Sequence, residues 1–588
     1  MSLTPSLSNI ASHAVALVTA LGSDTVFSLT GGMAMHLNRA VASEPGLKAV
    51  YCQHEQAVVA AAEGYAKAAD FRRAGFAVVT AGPGVSNTVT ALLSANGDST
   101  PLIVLAGQIK REDIDPFGVR THGIQEIPSE ALVTPCVKRF ARLDTTGFRD
   151  LLVETLAEAF IGRPGVVFIE IPLDVQGAPI PSGPTEVAED AARVRALVAA
   201  RTSTAGDARA VRAALDSLLA AERPLLYVGN GCRIAGVEAQ VRAFVERHRI
   251  PAVFSWLSFD ILPGRHPLHF GCPGGLAPIS SNRILGQADH IVFLGARLDL
   301  GTTAFQREAF GGQAERVFVD VDAAELGKQA GFAKSRTVVA DLRALPDALP
   351  VSGASAPEAW IDWCQAEHRD YLAEEVRRLA TDNLTVYALA QRVSGWSANR
   401  VVVPASSGYA EETLTRFFTP GEGCRFFNGA ALGAMGMGLP MALGAAFGSA
   451  RPTACFDADG GVMLNIQELA TVRQFGPPGF VLFVMNNDGY ESIRSSQLRH
   501  FGAVYGADEP SGVFIPPFEK LADAYGLPFA RIATLAELES FLAAQVDDSP
   551  PMLVELIVPP SEPRGPAVKT VIQADGRPVT SPLAEIDW

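Results

Sequence analysis

The stretch CFDADGGVMLN (455–465) ends an apolar run, delivers two aspartates one alanine apart, and then spends two glycines before turning apolar again. A buried strand that stops on Asp-Gly-Gly and gives way to a helix marks the C-terminal edge of a parallel sheet, where open α/β sheets bind ligands. The helix is legible in NIQELATVRQFG (465–476), with Ile466, Leu469, Ala470 and Val472 at helical spacing and Asn465 and Glu468 placed as a capping pair. Next, FVLFVMNNDGY (480–490) is a second buried strand that empties into Asn486, Asn487, Asp488 and Gly489. A right-handed crossover sets these two strand ends side by side. The Asp459 carboxylate, the Asn487 amide oxygen and the Gly489 carbonyl then form a hard oxygen set suited to Mg²⁺ carrying a diphosphate, with Gly460 and Gly461 offering backbone N–H groups. Each residue taken alone has a plainer use, Asp459 as a helix cap and Asn487 in an Asx-turn.

The surrounding chain has 588 residues, enough for three domains of about one to two hundred residues each. It is 48% hydrophobic and 19% charged, as expected of a well-buried α/β enzyme. A net charge of −15 and the lack of any basic run argue against nucleic-acid partners. The seven cysteines are far apart and never in CxxC spacing, so they read as reduced core residues. MSLTPSLSNIASHAVALVTALG (1–22) lacks a basic n-region and a continuous apolar h-region, which makes it an amphipathic first helix and makes a cytoplasmic location the expectation. GAALGAMGMGLPMALGAAFGSA (429–450) is long and uncharged, but Pro440 and its many glycines point to a buried helix of small residues, not a membrane span.

Strand runs alternate with helical patterns in three segments, so the fold expected is α/β, with three doubly wound parallel-sheet domains. The first covers 1–180, where FAVVT leads through AGPGVSN into a helix and PLIVLAGQ is the next strand. A Pro, Gly and acid-rich linker, GAPIPSGPTEVAED (177–190), precedes the second, 190–348, with PLLYVGNG, HIVFLGARLDLGTT and RVFVDVD as strands ending in Gly or Asp. ALPVSGASAPEAW (348–360) opens the third, 358–558, and residues 559–588 read as an irregular surface tail.

Asp-Gly, a crossover and Asn-Asn together resemble the thiamine diphosphate motif of the acetolactate synthase and pyruvate decarboxylase superfamily. That resemblance implies a pyrimidine-binding domain, a middle domain and a diphosphate-binding domain, in that order. YCQHEQAVVAAAEGYAKA (51–68) is similar to the family's His-Glu-Gln helix, which makes Glu55 the carboxylate on the aminopyrimidine ring. In TAGPGVSN the resemblance puts Pro83 and Asn87 beside that ring, and it places Gln108 and Lys138 near the reacting centre, with a salt-bridging lysine the equal alternative for Lys138. In the third segment it implies that Ser407 and Gly408 form the first diphosphate loop, that Gly433 offers a carbonyl to the cofactor, and that Met435 wedges beneath it. Arg297 and Asp320, with Asp322, match candidate contacts for FAD in the middle domain, whereas GNGCRI is a poor nicotinamide fingerprint, with Ile234 where glycine is needed.

The activity implied is decarboxylation of a 2-oxo acid, with the acyl unit either protonated or added to a second carbonyl. The sites would be completed across the subunits of a homodimer or homotetramer. Ser492 and Ser496 stand where biosynthetic acetolactate synthases carry bulky residues, and Ile124 where they carry an aromatic. A larger or hydroxylated acceptor follows, as in homologues of sugar or polysaccharide biosynthesis that act on keto-sugars. The alternatives are a non-ligating 2-oxo acid decarboxylase and, from another class, a flavin or NAD oxidoreductase. The family usually writes Gly-Asp-Gly where this chain has Ala458-Asp459-Gly460, which an alanine tolerates only at negative φ.

Overall fold

The computed structural model describes residues 8–583 and 586, apart from 115–116, 182, 203–205, 563–564, 567, 569, 573–574 and 576. Three parallel sheets with helices on both faces make up the chain. The first contains β1 (Thr25–Ser28), β2 (Lys48–Tyr51), β3 (Gly75–Val79), β4 (Leu102–Gln108), β5 (Arg139–Arg142) and β6 (Val166–Pro172), in the order β2-β1-β3-β4-β6-β5. The second contains β7 (Pro224–Val228), β8 (Ala252–Phe254), β9 (His290–Leu294), β10 (Glu315–Asp320) and β11 (Ser335–Val339), in the order β11-β10-β9-β7-β8. The third contains β12 (Val401–Pro404), β13 (Arg425–Phe426), β14 (Thr453–Ala458), β15 (Val481–Asn486), β16 (Phe529–Ile532) and β17 (Met552–Ile557), in the order β13-β12-β14-β15-β17-β16. The first and third sheets therefore share one topology. Their central strands are Val- and Ile-rich runs buried end to end, as sheets covered on both faces require.

The first and third sheets are joined through two helices of small residues. Glu55–Ala68 lies against Gly438–Gly448, and glycine sits wherever the two backbones meet. A Cβ on Gly64 would lie 1.9 Å from the Met441 carbonyl oxygen, one on Gly444 1.8 Å from that of Ala61, and one on Gly448 2.2 Å from that of Tyr65. The uncharged 429–450 stretch is thus an interdomain packing element, and among the described residues no helix is long and apolar enough to cross a membrane. Beside this contact Lys67, fully buried, bonds Asp98 and the Asn428 carbonyl, both at 2.7 Å, and pairs with Glu63 at 2.6 Å. All seven cysteines are free and buried.

Four expectations change. Residues 184–190 of the first linker belong to a helix, Pro184–Arg201, because Pro184 occupies its first position, where a missing N–H costs nothing. A helix of 22 residues, Glu358–Leu379, precedes the third sheet. The tail is not an irregular surface segment: Thr570–Ile572 pairs antiparallel with Pro578–Thr580, and Leu583 and Ile586 are buried with Tyr227, Phe270 and Trp360. Asn465 and Glu468 do not cap their own helix, which starts at Glu468, because both side chains bond elsewhere.

Gly444→Val forces the two helices apart and is expected to destabilise the protein by about 3 kcal/mol or more, read as a lowered thermal midpoint. A midpoint unchanged from the wild type would contradict the contact.

Candidate active site

β14 and β15 are parallel neighbours, so their C-terminal turns lie side by side. Asp459 is fully buried, and its carboxylate is held by three backbone donors: the N–H groups of Gly460 at 2.6 Å, Asn487 at 3.0 Å and Gly489 at 2.9 Å. Burial pushes Asp459 up to about 6, against the pull of those donors. Asn487 is buried too, and its Oδ1 has no hydrogen-bond partner. A buried acceptor without a donor is costly, and a cation is the partner that suits it beside a carboxylate. The residues present therefore fit Mg²⁺, with Asp459, Asn487 Oδ1 and the Gly489 carbonyl as its protein oxygens. Arg494 pins the turn from behind, bonding the carbonyls of Asn487 at 2.9 Å and Asp488 at 3.2 Å while paired with Glu491.

The glycines here make room more than they offer donors. Gly460 spends its N–H on Asp459, and a Cβ on it would strike the Tyr490 ring at 2.2 Å. A Cβ on Gly461 would lie 2.4 Å from Asp457 Oδ1, and one on Gly489, at φ +131°, 2.2 Å from the Ala507 carbonyl. Ala458 has φ −87° and ψ 158°, an extended conformation that any residue adopts, so it is unstrained. Asp457 is wedged between Gly438 and Gly461 inside the fold.

Ser407 precedes the helix Gly408–Phe417 and makes no capping bond, while Gly408, at φ +86°, has open space where a Cβ would stand. A helix N-terminus with no side-chain cap and open space at its first residue is the kind of place that suits an anion. Gly433 has φ +65°, a conformation that favours glycine, and Met435 is half-buried in the same loop. Sequence reading passed over Glu411 on the Gly408 helix. It is buried, bonded by Asn428 Nδ2 at 2.9 Å, and pushed by burial up to about 8, a neutral acid close to the Ser407 loop.

On the first sheet, Glu55 begins its helix and accepts a hydrogen bond from Asn87 Nδ2 at 3.0 Å. Pro83 opens the short helix Pro83–Ser86 that ends on Asn87, and a Cβ on Gly84 would come within 3.8 Å of Glu55 Oε1. Glu55 and Asn87 are thus bonded, with Pro83 at the other end of the same short turn.

Gln108 and Lys138 lie far apart, and each is committed to protein partners. Gln108 pairs with Pro172, the last residue of β6, but it is fully buried, with its amide nitrogen on Ser129 and Glu170 and its oxygen on the Ile109 N–H. It braces the C-terminal edge of the sheet. The Lys138 N–H bonds Val166, the first residue of β6, which places it at the opposite edge of the sheet, roughly 20 Å away. Its ammonium is consumed by the carbonyls of Glu158, Ile161 and Arg163 at 2.6–2.9 Å. Lys138 ties a loop down at the sheet edge away from the strand C-termini.

Arg297 and Asp320 line one cleft at the C-terminal edge of the second sheet. Two of its lining glycines cross closely: a Cβ on Gly231 would lie 2.7 Å from Gly295 Cα. Arg297 bonds the Gly97 carbonyl and Asp299, both at 2.9 Å, and burial raises Asp320. Asp322 is occupied as a helix cap. The buried Oδ1 of Asn230, also on the cleft, has no partner.

Three family matches follow this geometry. "Thiamine pyrophosphate enzyme, N-terminal TPP binding domain" matches residues 8–132, its "central domain" 211–349 and its "C-terminal TPP binding domain" 406–556. The chain is 30% identical to "Probable acetolactate synthase 2, chloroplastic" of Oryza sativa subsp. japonica, over 94% of this chain and 84% of that protein. It is 28% identical to "Acetolactate synthase isozyme 1 large subunit" of Escherichia coli (strain K12), over 93% of each chain. To "Acetolactate synthase large subunit" of Lactococcus lactis subsp. lactis (strain IL1403) it is 26% identical, over 94% of this chain and 93% of the relative.

Two measurements test the site. With its folded-state value raised to about 6, Asp459 is protonated below that pH, which favours the metal-free fold in acid and disfavours it as pH rises through about 6. Calorimetric binding of Mg²⁺ with thiamine diphosphate is expected to weaken about tenfold per pH unit below about 6, and a flat profile from pH 5 to 7 would contradict the assignment. Lys138→Met is expected to cost about 1–3 kcal/mol of stability and to leave turnover within about twofold.

Proposed function

This chain belongs to the thiamine pyrophosphate enzyme family, and from that premise we propose that it is an acetolactate synthase-like carboligase. It decarboxylates a 2-oxo acid, pyruvate, and transfers the acyl unit to a carbonyl acceptor. The observation that carries the reading is the pairing of a buried, partnerless Asn487 Oδ1 with a buried Asp459 carboxylate at adjacent strand ends. Asp459, Asn487 and Gly489 hold Mg²⁺. Ser407 and Gly408 make room for the diphosphate, and Gly433 and Met435 bear on the rings. Thiamine diphosphate, when bound, supplies the carbanion chemistry that a protein side chain cannot. Glu55, steadied by Asn87, holds a proton at the aminopyrimidine nitrogen, the step that this chain contributes to activation.

Among the described residues no hydrogen bond or ion pair joins the Glu55 cluster to the Asp459 cluster. Apolar residues around them stay exposed, among them Met35, Ile124, Leu432, Leu464 and Ile493. Both facts support a homodimer or a homotetramer in which two copies complete each site and cover this surface. Ser492 is half-buried with a partnerless Oγ, and Ser496 is exposed, which favours a hydroxyl-bearing acceptor such as a keto-sugar. FAD is proposed for the middle cleft, where Arg297 and Asp320 meet its charged and hydroxylated parts.

The test supplies pyruvate, thiamine diphosphate and Mg²⁺, then follows carbon dioxide and products with and without carbonyl acceptors. A carboligation product that scales with acceptor is expected. Acetaldehyde alone, unaffected by any acceptor, would instead identify a simple decarboxylase. Glu55→Gln is expected to lower turnover by about 10²-fold or more. Flavin released on denaturing the purified protein checks the FAD assignment.

A further inference from the structure

The turn that presents Glu55 is held by another domain. The Gln53 N–H donates to Glu468 Oε1 at 2.9 Å, and Glu468 Oε2 accepts from the Thr471 hydroxyl at 2.7 Å. That hydroxyl also reaches the Tyr51 carbonyl at 3.5 Å. Asn465 Nδ2 bonds Gln56 Oε1 at 3.3 Å and the Gly436 carbonyl at 2.7 Å. Residues 51–56 are thus gripped from the third domain on both sides of Glu55.

Glu468 and Asn465 are both fully buried. Desolvating a carboxyl is expensive, and here burial pushes Glu468 up to about 7 while the Gln53 and His54 N–H groups and the Thr471 hydroxyl oppose the shift. No ion pair offsets that cost among the described residues; the carboxyl is spent on the backbone N–H groups just before a helix N-terminus. Glu55 is the first residue of that helix, so the direction of its side chain follows from where Gln53 and His54 are held. Asn465 adds the second half of the clamp. The amide that meets Gln56 also fixes the carbonyl one residue beyond Met435, so the Glu55 turn and the 433–436 loop share an anchor.

We propose that Glu468, with Asn465, is a positioning residue for Glu55: through its hydrogen bonds the third domain sets the aim of a carboxylate carried by the first. The proposal rests on Glu55 acting at the aminopyrimidine.

The readout is exchange of the thiazolium C2 hydrogen of bound thiamine diphosphate for deuterium, followed by NMR on the acid-quenched holoenzyme, with the thermal midpoint and calorimetric cofactor affinity recorded alongside. Glu468→Ala is expected to slow exchange about tenfold or more with affinity within about threefold, and Glu468→Gln, which keeps an acceptor for Gln53 and a partner for Thr471, to restore it to within about threefold. A merely structural role would lower the midpoint and leave exchange below the transition unchanged. Wild-type exchange in Glu468→Ala overturns the proposal, as does a folded Glu468→Gln protein as slow as the alanine variant. Should Glu468→Ala fail to fold, Asn465→Ser and Thr471→Val decide: slowing in either supports the clamp, and wild-type exchange in both overturns it. Glu55→Gln separates the two readings. If it keeps the wild-type rate, the assignment of Glu55 falls; if it abolishes exchange while Glu468→Ala does not slow it, only the positioning role falls.

Discussion

Backbone contact between the helices Glu55–Ala68 and Gly438–Gly448 is the constraint on which the rest of the structure depends. Gly64, Gly444 and Gly448 let carbonyl oxygens come where a methyl group would have to stand, so the first and third sheets meet without side chains between them. One of these helices starts with Glu55, and the other follows the loop of Gly433 and Met435. The interdomain contact therefore also fixes the positions of the two elements that carry the proposed ring contacts. Such contact leaves little slack, because glycine already costs the helices conformational entropy and only close packing recovers it.

Around that contact the protein buries several carboxyl groups, and each has a different use. Asp459 collects three N–H groups at a strand end, Glu63 pairs with Lys67, and Glu170 takes the Gln108 amide. Glu411 and Glu468 lie next to the predicted cofactor loops and are pushed by burial up to about 8 and about 7. Glu411 is then mostly protonated at pH 7 and Glu468 about half so, and each crowds an anionic cofactor less than a fully ionised carboxylate would. The local chemistry of this region is thus set by burial more than by the net negative charge of the chain.

The parallel sheets were legible because Val- and Ile-rich runs such as LIVLAG and VLFVM suit only strands buried on both faces, and the Asp459 and Asn487 turns because glycine and asparagine mark strand ends. Ala458 was legible as a question, and its negative φ answers it. Lys138 was misplaced because a motif carries no information on which edge of a sheet a residue occupies, and the register to Val166 decides that. Glu468 looked like a cap for its own helix, since nothing in the sequence reveals that Gln53, more than 400 positions away, is its partner. The tail looked irregular for the same reason: Leu583 and Ile586 are apolar residues whose cover comes from another domain.

The middle cleft and the Glu55 helix meet in one charge network, in which Arg297 lies 3.7 Å from Asp98, and Asp98 bonds Lys67 of that helix. A ligand that engages Arg297 would therefore act on the same interface that positions Glu55. The most direct measurement is a crystal structure of the protein with thiamine diphosphate and Mg²⁺. The ion is expected about 2.1 Å from Asp459, Asn487 Oδ1 and the Gly489 carbonyl, with a Glu55 carboxylate at the aminopyrimidine. An ion bound elsewhere, with Asn487 Oδ1 still unpartnered, would contradict the reading at its base.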